Sequence, residues 1–152
     1  MILLPGKLVY VLTPRTGSRA MERAFLEHVP GAQDIGRHHG FTDYGLPVYA
    51  TIRRPVDQVL SHWWKVRDRM SLEEYIEQRT PRLNIHHEHI QHYFRYEDGL
   101  ARVFQWLGYP GVKVAQVGES NPGIELTPAQ VELINQKFAD DVALYNGLGR
   151  WP

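Results

Sequence analysis

The chain has 152 residues, no cysteine, and equal numbers of acidic and basic side chains, 17 of each. Hydrophobic residues make up 43% and charged residues 22%, which is ordinary globular usage and excludes coiled-coil, collagen-like and disordered chains. The missing cysteine excludes disulfides, thiolate zinc sites and a cysteine nucleophile, and the zero net charge disfavours nucleic acid or a membrane surface as a partner. No apolar run approaches the length of a membrane span, so we expect a soluble, cytoplasmic protein with a single domain over residues 1–152.

The charge is unevenly distributed along the chain. Residues 1–69 carry 10 basic and 6 acidic side chains, whereas residues 70–152 carry 7 and 11. Arginine outnumbers lysine 13 to 4, and its planar fork suits the oxygens of phosphate and sulfate. The first half is therefore where we expect an anionic ligand to bind.

Two strand–loop–helix units occupy this first half. Residues 8–12 predict a buried strand, and residues 21–28 repeat apolar side chains at helical spacing. Residues 48–52 predict a second strand, after which Pro55 suits the first turn of a helix. Consecutive units of this kind predict an α/β fold with a central parallel sheet flanked by helices, and ligands bind such a sheet at the carboxyl ends of its strands.

The second half is predicted to be mainly helical. Helical spacing marks residues 72–76 and 100–107, and residues 112–117 form a further candidate strand. The Thr-Pro-Ala-Gln sequence from residue 127 combines an N-cap, a first-turn proline and a capping box. Apolar residues then continue at helical spacing to Tyr145, which predicts a long last helix.

The loop after the first strand, Thr13-Pro14-Arg15-Thr16-Gly17-Ser18, has the composition of an anion site. At a helix N-terminus, backbone N–H groups and the helix dipole hold a phosphate-like group without a metal. Gly17 permits close approach of the backbone, and the neighbouring hydroxyls and arginines add donors. The alternative is an ordinary strand-to-helix turn. The Gly-x-x-x-x-Gly-Lys-Ser/Thr pattern of a Walker A loop is absent.

A second loop follows the second strand. Arg53-Arg54-Pro55 ends that strand, and Ser61 lies about two turns along the next helix. The pair can offer a guanidinium and a hydroxyl to a second anionic group. The alternatives are a surface ion pair for Arg53 and a solvated helix serine for Ser61. Two such loops at neighbouring strand ends favour a ligand with two anionic groups.

Together with Ser61-His62-Trp63, the two loops resemble the signature loops of sulfotransferases that use 3′-phosphoadenosine 5′-phosphosulfate (PAPS). Weaker similarities are Arg95-Tyr96-Glu97-Asp98 before a helix, and residues 141–145. The resemblance covers about residues 8–65 and, more loosely, 91–146. It implies a three-layer, P-loop-like α/β fold. It also implies transfer of a sulfuryl group from PAPS to an acceptor hydroxyl or amine, with no metal required.

The resemblance implies a separate binding role for each loop. The residues that would bind the 5′-phosphosulfate are Arg15, Thr16, Gly17, Ser18 and Arg19. Those that would bind the 3′-phosphate are Arg53 and Ser61. Arg15 stands where many members carry a catalytic lysine, and it would stabilise charge on the leaving group without donating a proton. Ala20 stands where cytosolic members often have a tryptophan that stacks on adenine.

Sulfuryl transfer to a hydroxyl needs a base, and histidine suits this role near neutral pH. Arg37-His38-His39-Gly40 is similar to a Lys-x-His stretch that carries the base in several sulfotransferases, which points to His39, with His38 as its substitute. The alternative is a pair of exposed loop histidines. Glu22 and Asp43 are weaker candidates for the base.

A histidine-rich stretch at residues 84–92 is the last candidate site. On a helix, His86, His89 and His92 would share a face, which makes metal binding a candidate role. The His-Glu-x-x-His pattern is absent because position 91 is Gln91. The favoured interpretation is a polar helix face near the acceptor pocket, and direct binding of an acidic acceptor is a further alternative.

Two other functions stay open from the sequence. One is a nucleotide-dependent phosphotransferase with a degenerate P-loop, which the missing Walker lysine and Mg²⁺-binding aspartate disfavour. The other is a non-catalytic nucleotide-binding protein of the same fold. For the sulfotransferase, the acceptor would be a small molecule or a carbohydrate; neither its identity nor the oligomeric state is predicted.

Overall fold

The computed structural model describes residues 1–36, 40–115 and 123–149 of the chain. Its strands are β1 (Ile2–Leu4), β2 (Leu8–Val11), β3 (Gln33–Asp34), β4 (Val48–Ile52) and β5 (His92–Arg95). Its α-helices are α1 (Ser18–His28), α2 (Pro55–Trp63), α3 (Leu72–Gln78), α4 (Ala101–Trp106), α5 (Pro128–Lys137) and α6 (Ala139–Gly147), with a 3₁₀ turn at Tyr96–Asp98.

The five strands form one open, mixed sheet in the order β3-β1-β2-β4-β5. β2, β4 and β5 run parallel, as predicted for the centre of the sheet, whereas β1 pairs antiparallel with both β2 and β3. The prediction of a central parallel sheet therefore holds for these three strands, and the antiparallel edge formed by β1 and β3 was not predicted. Only Pro5, Gly6 and Lys7 join β1 to β2, and so short a connection can join only antiparallel neighbours.

Side chains alternate between the two faces of the sheet. On β2, Leu8 and Tyr10 pack with the α1 residues Met21 and Phe25, and with Phe104 of α4. Val9 and Val11 point to the opposite face, where residues from the end of α6 pack beside Ile90 and Tyr93. Both faces of the parallel strands are therefore covered, which places their carboxyl ends and the loops that follow at one rim.

The predicted starts of the helices agree with the structure. Pro55 is the first residue of α2, and the Thr127 side chain accepts from the Gln130 N–H in a capping box at α5. The long last helix is instead divided at Phe138, whose backbone leaves helical geometry. Phe138 is fully buried with Ile134 against α2 and α3, and the break turns α6 so that Leu144 and Tyr145 reach the sheet.

Residues 84–92 are not a helix. His86 has a positive φ of 55°, residues 85–89 form turns, and His92 already belongs to β5. Gln91 explains the change, because its N–H donates to the Val48 carbonyl and its side chain accepts from the Val48 N–H. These bonds extend the β4–β5 ladder. Residues 112–115 have no regular structure, and the rest of that candidate strand lies outside the described residues.

Candidate functional site

The loop between β2 and α1 is pinned to the neighbouring strand by two buried threonines. The Thr13 hydroxyl donates to the carbonyl of Thr51 on β4, and the Thr16 hydroxyl donates to the Thr13 carbonyl at 2.9 Å. Both side chains are almost fully buried. The loop is therefore held in one place at the carboxyl end of β2, which is a requirement for a site whose backbone does the binding.

Two residues of this loop have left-handed backbone conformations. Arg15 has φ 63° and Gly17, the N-cap of α1, has φ 77°. A glycine N-cap brings no side chain to accept from the first turn, and the N–H groups of that turn have no acceptor within the helix. Backbone turns of this kind direct several N–H groups to one side and bind anions.

Position 17 requires glycine for two reasons: its φ is left-handed, and its neighbours leave no room for a Cβ. A Cβ at this position would lie 2.4 Å from Cδ1 of Leu100 and 3.3 Å from Cε2 of Tyr96. We therefore expect Gly17→Ala to lower the free energy of unfolding by about 2 kcal/mol, from left-handed strain plus displacement of Leu100. The change is measurable by urea denaturation.

Gly31→Ala is the matched control for this prediction. Gly31 has a similar φ of 81°, but a Cβ there would meet nothing within 4 Å. The control should therefore cost only the backbone strain, about 1 kcal/mol. Equal losses for the two variants would contradict the role of Leu100 in requiring a glycine at position 17.

Arg53 and Ser61 both reach the loop that contains Arg15. Arg53 is only 5% exposed, its Nη1 donates to the Arg15 carbonyl at 3.4 Å, and its guanidinium lies 4.8 Å from the centre of the Tyr96 ring. Ser61 is buried on α2, and its Oγ accepts from Nε of Arg15 at 3.0 Å while its carbonyl accepts from Nη2 at 2.6 Å. The two loops singled out in the sequence thus meet at one rim of the sheet.

The remaining predicted residues are placed as follows. Ser18 and Arg19 open the first turn of α1, and Arg19 is exposed. His38 and His39 lie outside the described residues. Asp43 accepts the N–H of Gly45 within an exposed loop, a turn-forming contact that gives no sign of a catalytic role.

Four cations around this rim have no carboxylate partner among the described residues. Within the described parts of the chain, Arg15, Arg19, Lys65 and Arg79 make no ion pair with an acidic side chain. Burial lowers the pKa of Arg15, and its neighbours Arg53 and Arg19 lower it further. Mutual repulsion of this kind costs free energy that a bound anion would relieve.

His62 is held neutral in this environment. Burial, with a contribution from Arg79, Arg15 and Lys65, lowers its pKa to about 3. The unfolded chain binds a proton near pH 6.5 and the folded chain does not, so protonation favours unfolding. Between pH 6.5 and 3, the free energy of unfolding should therefore fall with decreasing pH, with His62 contributing about 1 kcal/mol per unit.

Urea denaturation across this range, compared with His62→Gln, measures the contribution. The variant cannot take up the proton, so its stability should decline less steeply below pH 6.5. Parallel curves for the two proteins would contradict a buried neutral His62.

A buried network of hydrogen-bonded side chains, which the sequence did not reveal, connects the first loop to α2 and α6. The Gln58 side chain donates to the Pro14 carbonyl at 2.9 Å and reaches the Asn84 amide oxygen at 3.4 Å. Asn84 in turn donates to Asp141 at 2.6 Å, and Asp141 also accepts the Leu83 N–H at 3.0 Å. The loose similarity at residues 141–145 was the one signal that pointed to this part of α6.

Tyr96, to which the sequence assigned no role, also lies at this rim. It follows β5 directly, lies under Arg53 and contacts the space beside Gly17. Its neighbour Glu97 accepts the Arg54 N–H at 2.8 Å and the Tyr145 hydroxyl at 3.0 Å, which ties the third strand end to α2 and α6. The signal was its place in the Arg-Tyr-Glu-Asp segment, the shared feature of the weaker similarity.

Three histidines of the histidine-rich stretch, His86, His87 and His89, form a partly exposed cluster with Glu88. Glu88 pairs with His87 at 3.0 Å and with His89 at 3.5 Å, and the His89 ring stacks on Phe41. Among the described residues, no group of three or more His, Asp or Glu side chains is arranged to hold a metal ion. The helix needed to align His86, His89 and His92 is not formed.

No protein-family model, curated protein or solved structure matches this chain. Over residues 1–36, 40–115 and 123–149, no helix is long and apolar enough to cross a membrane.

Proposed function

We propose that this protein is a sulfotransferase that moves a sulfuryl group from PAPS to an acceptor hydroxyl or amine. The observation that carries the proposal is the convergence of Arg53 and Ser61 on the Arg15–Gly17 loop, at the carboxyl ends of the adjacent parallel strands β2 and β4. The proposal includes the finer architecture, a P-loop-like fold in which the parallel strands are the central layer of a single domain in the cytoplasm.

Each end of the donor has a proposed set of partners. The N–H groups of Thr16 to Arg19 and the Ser18 hydroxyl would hold the 5′-phosphosulfate at the N-terminus of α1. Arg53 and Ser61 would hold the 3′-phosphate. The aromatic ring of Tyr96 lies beside both loops. We propose that this ring covers the adenine, because Ala20 stands at the position of the tryptophan that stacks on adenine in many sulfotransferases.

The reaction would proceed by in-line displacement. The acceptor oxygen attacks sulfur, the bond from sulfur to the bridging oxygen breaks, and adenosine 3′,5′-bisphosphate (PAP) leaves with that electron pair. His39, or His38 in its place, takes the acceptor's proton. Arg15 and the loop amides stabilise the charge on the leaving phosphate, so no metal is required.

The position of Arg15 adds one requirement to this mechanism. Its guanidinium hydrogen-bonds Ser61 through two nitrogens. To act at the bridging oxygen, it must turn away from Ser61 when the donor binds. If it stays, Arg15 contributes to 3′-phosphate binding instead, which favours the second candidate function, a nucleotide-binding protein without turnover.

Thermal unfolding with two ligands tests the proposal. We expect saturating PAP to raise the melting temperature by several degrees, because a ligand at 100 times its Kd stabilises the native state by about 2.7 kcal/mol. Mg-ATP at the same concentration should have little effect, because it lacks the 3′-phosphate. Stabilisation by Mg-ATP alone would favour the phosphotransferase. A separate assay, the transfer of labelled sulfate from PAPS to a panel of acceptors, distinguishes an enzyme from a binding protein without turnover.

A further inference from the structure

A second group of basic and polar side chains comes from the first loop, α2 and α3 and includes the neighbours of Ser61. It consists of Arg15, His62 and Lys65 together with Tyr75 and Arg79, and we call it the α2–α3 cluster. His62 directly follows Ser61 on α2, and Arg79 caps the C-terminus of α3 with its guanidinium 5.6 Å from the centre of the Tyr75 ring. None of these side chains except Arg15 was assigned a role in the sequence.

The cluster contains buried polar atoms without partners. His62 Nε2, the Tyr75 hydroxyl and Arg79 Nε are inaccessible to solvent and make no hydrogen bond in the described part of the protein. Tyr75 as a whole is only 7% exposed. A buried donor without a partner loses its hydrogen bond to water and gains none in return, so three such donors together need an explanation.

All three unpartnered atoms can donate a hydrogen bond, and their surroundings are positive. Arg15 and Arg79 lower the pKa of Tyr75 against the raising effect of its burial, and both disfavour protonation of His62. The charge of Arg15, with smaller contributions from burial and Arg19, lowers the pKa of Lys65. An acceptor of negative charge would satisfy the donors and separate the like charges in one step.

We infer that the α2–α3 cluster is a binding subsite for a tetrahedral oxyanion, a sulfate or phosphate group held by Arg15, Arg79, His62 and Tyr75. The inference deepens the proposed function and rests on it for the source of the group. That source is either the donor's own 3′-phosphate or an anionic substituent of the acceptor, in which case the acceptor is itself an acidic molecule.

Sulfate titration followed by NMR of the His62 ring tests the subsite. Sodium sulfate, compared with sodium chloride at equal ionic strength, should shift the His62 ring signals with saturation and raise the pKa of His62. Arg79→Gln should weaken the affinity for sulfate at least tenfold. Arg82→Gln is the matched control, because Arg82 is exposed and lies three residues further on beside Asp140, and it should bind sulfate as the wild type does.

Tyr75→Phe separates binding from a structural role. Removing an unsatisfied buried hydroxyl should leave the free protein as stable or more stable, while weakening its affinity for sulfate severalfold. A purely structural Tyr75 would lose stability and keep its sulfate affinity, which would contradict the inference.

Repeating the titration with saturating PAP identifies the source. If PAP itself shifts the His62 signals and blocks sulfate, the subsite holds the donor's phosphate. If sulfate still binds beside PAP, the subsite holds an acidic group of the acceptor. Sulfate binding in a protein that does not bind PAP would preserve the subsite and refute the sulfotransferase. His62 signals that respond to neither ligand would overturn the inference.

Discussion

Arg53→Ala is expected to abolish binding of PAP measured by isothermal titration calorimetry. The guanidinium is buried beside the Arg15 carbonyl and the Tyr96 ring, so it is already oriented where the 3′-phosphate would lie. Charge-assisted hydrogen bonds from a preorganised arginine to phosphate are strong. Their loss should weaken the affinity for PAP at least 100-fold, which corresponds to about 3 kcal/mol of binding free energy.

Arg54→Ala is the control for this experiment. Arg54 is the next residue, is exposed, and its side chain pairs only loosely with Asp57 at 3.7 Å. The Arg54→Ala variant should bind PAP with the affinity of the wild type. Because removing a buried arginine side chain can also disturb the fold, Arg53→Gln is measured as well, with circular dichroism of every variant. Unchanged PAP affinity in folded Arg53→Ala or Arg53→Gln would remove Arg53 from the site.

His39→Ala is expected to remove turnover while leaving PAP binding intact. A general base contributes about 10²- to 10⁴-fold to the rate, and it acts on the acceptor and makes no contact with the donor in the proposed mechanism. The readout is the rate of sulfate transfer from PAPS, measured beside calorimetry with PAP on the same sample.

His38→Ala is the neighbouring control for the base. It should keep most of the activity if His39 is the base, and the reverse pattern assigns the role to His38, which the sequence left open as a substitute. Full activity in both variants would place the base outside this segment.

The sequence was informative where local chemistry decides structure. The apolar residues of β2 and β4, the first-turn proline of α2 and the capping box of α5 each act within a few residues, and each was placed correctly. The convergence of Arg53 and Ser61 on the first loop followed from the same logic, because parallel neighbouring strands bring their carboxyl ends together.

Long-range contacts account for what the sequence did not reveal. Where helical spacing suggested a histidine face, the chain forms turns and enters β5 at His92, because the Gln91 bonds to Val48 extend the sheet. Phe138 ends α5 because its burial against α2 and α3 is incompatible with a straight helix whose later residues must also reach the sheet. The orientation of Arg15 toward Ser61, 46 residues away, likewise has no local signature.

A crystal structure of the protein with PAP would be the most direct measurement of how the ligand is held. The proposal requires the 5′-phosphate to accept from backbone amides between Thr16 and Arg19, and the 3′-phosphate to contact both Arg53 and Ser61. A nucleotide bound elsewhere, or one whose two phosphates contact only one of these strand ends, would contradict it.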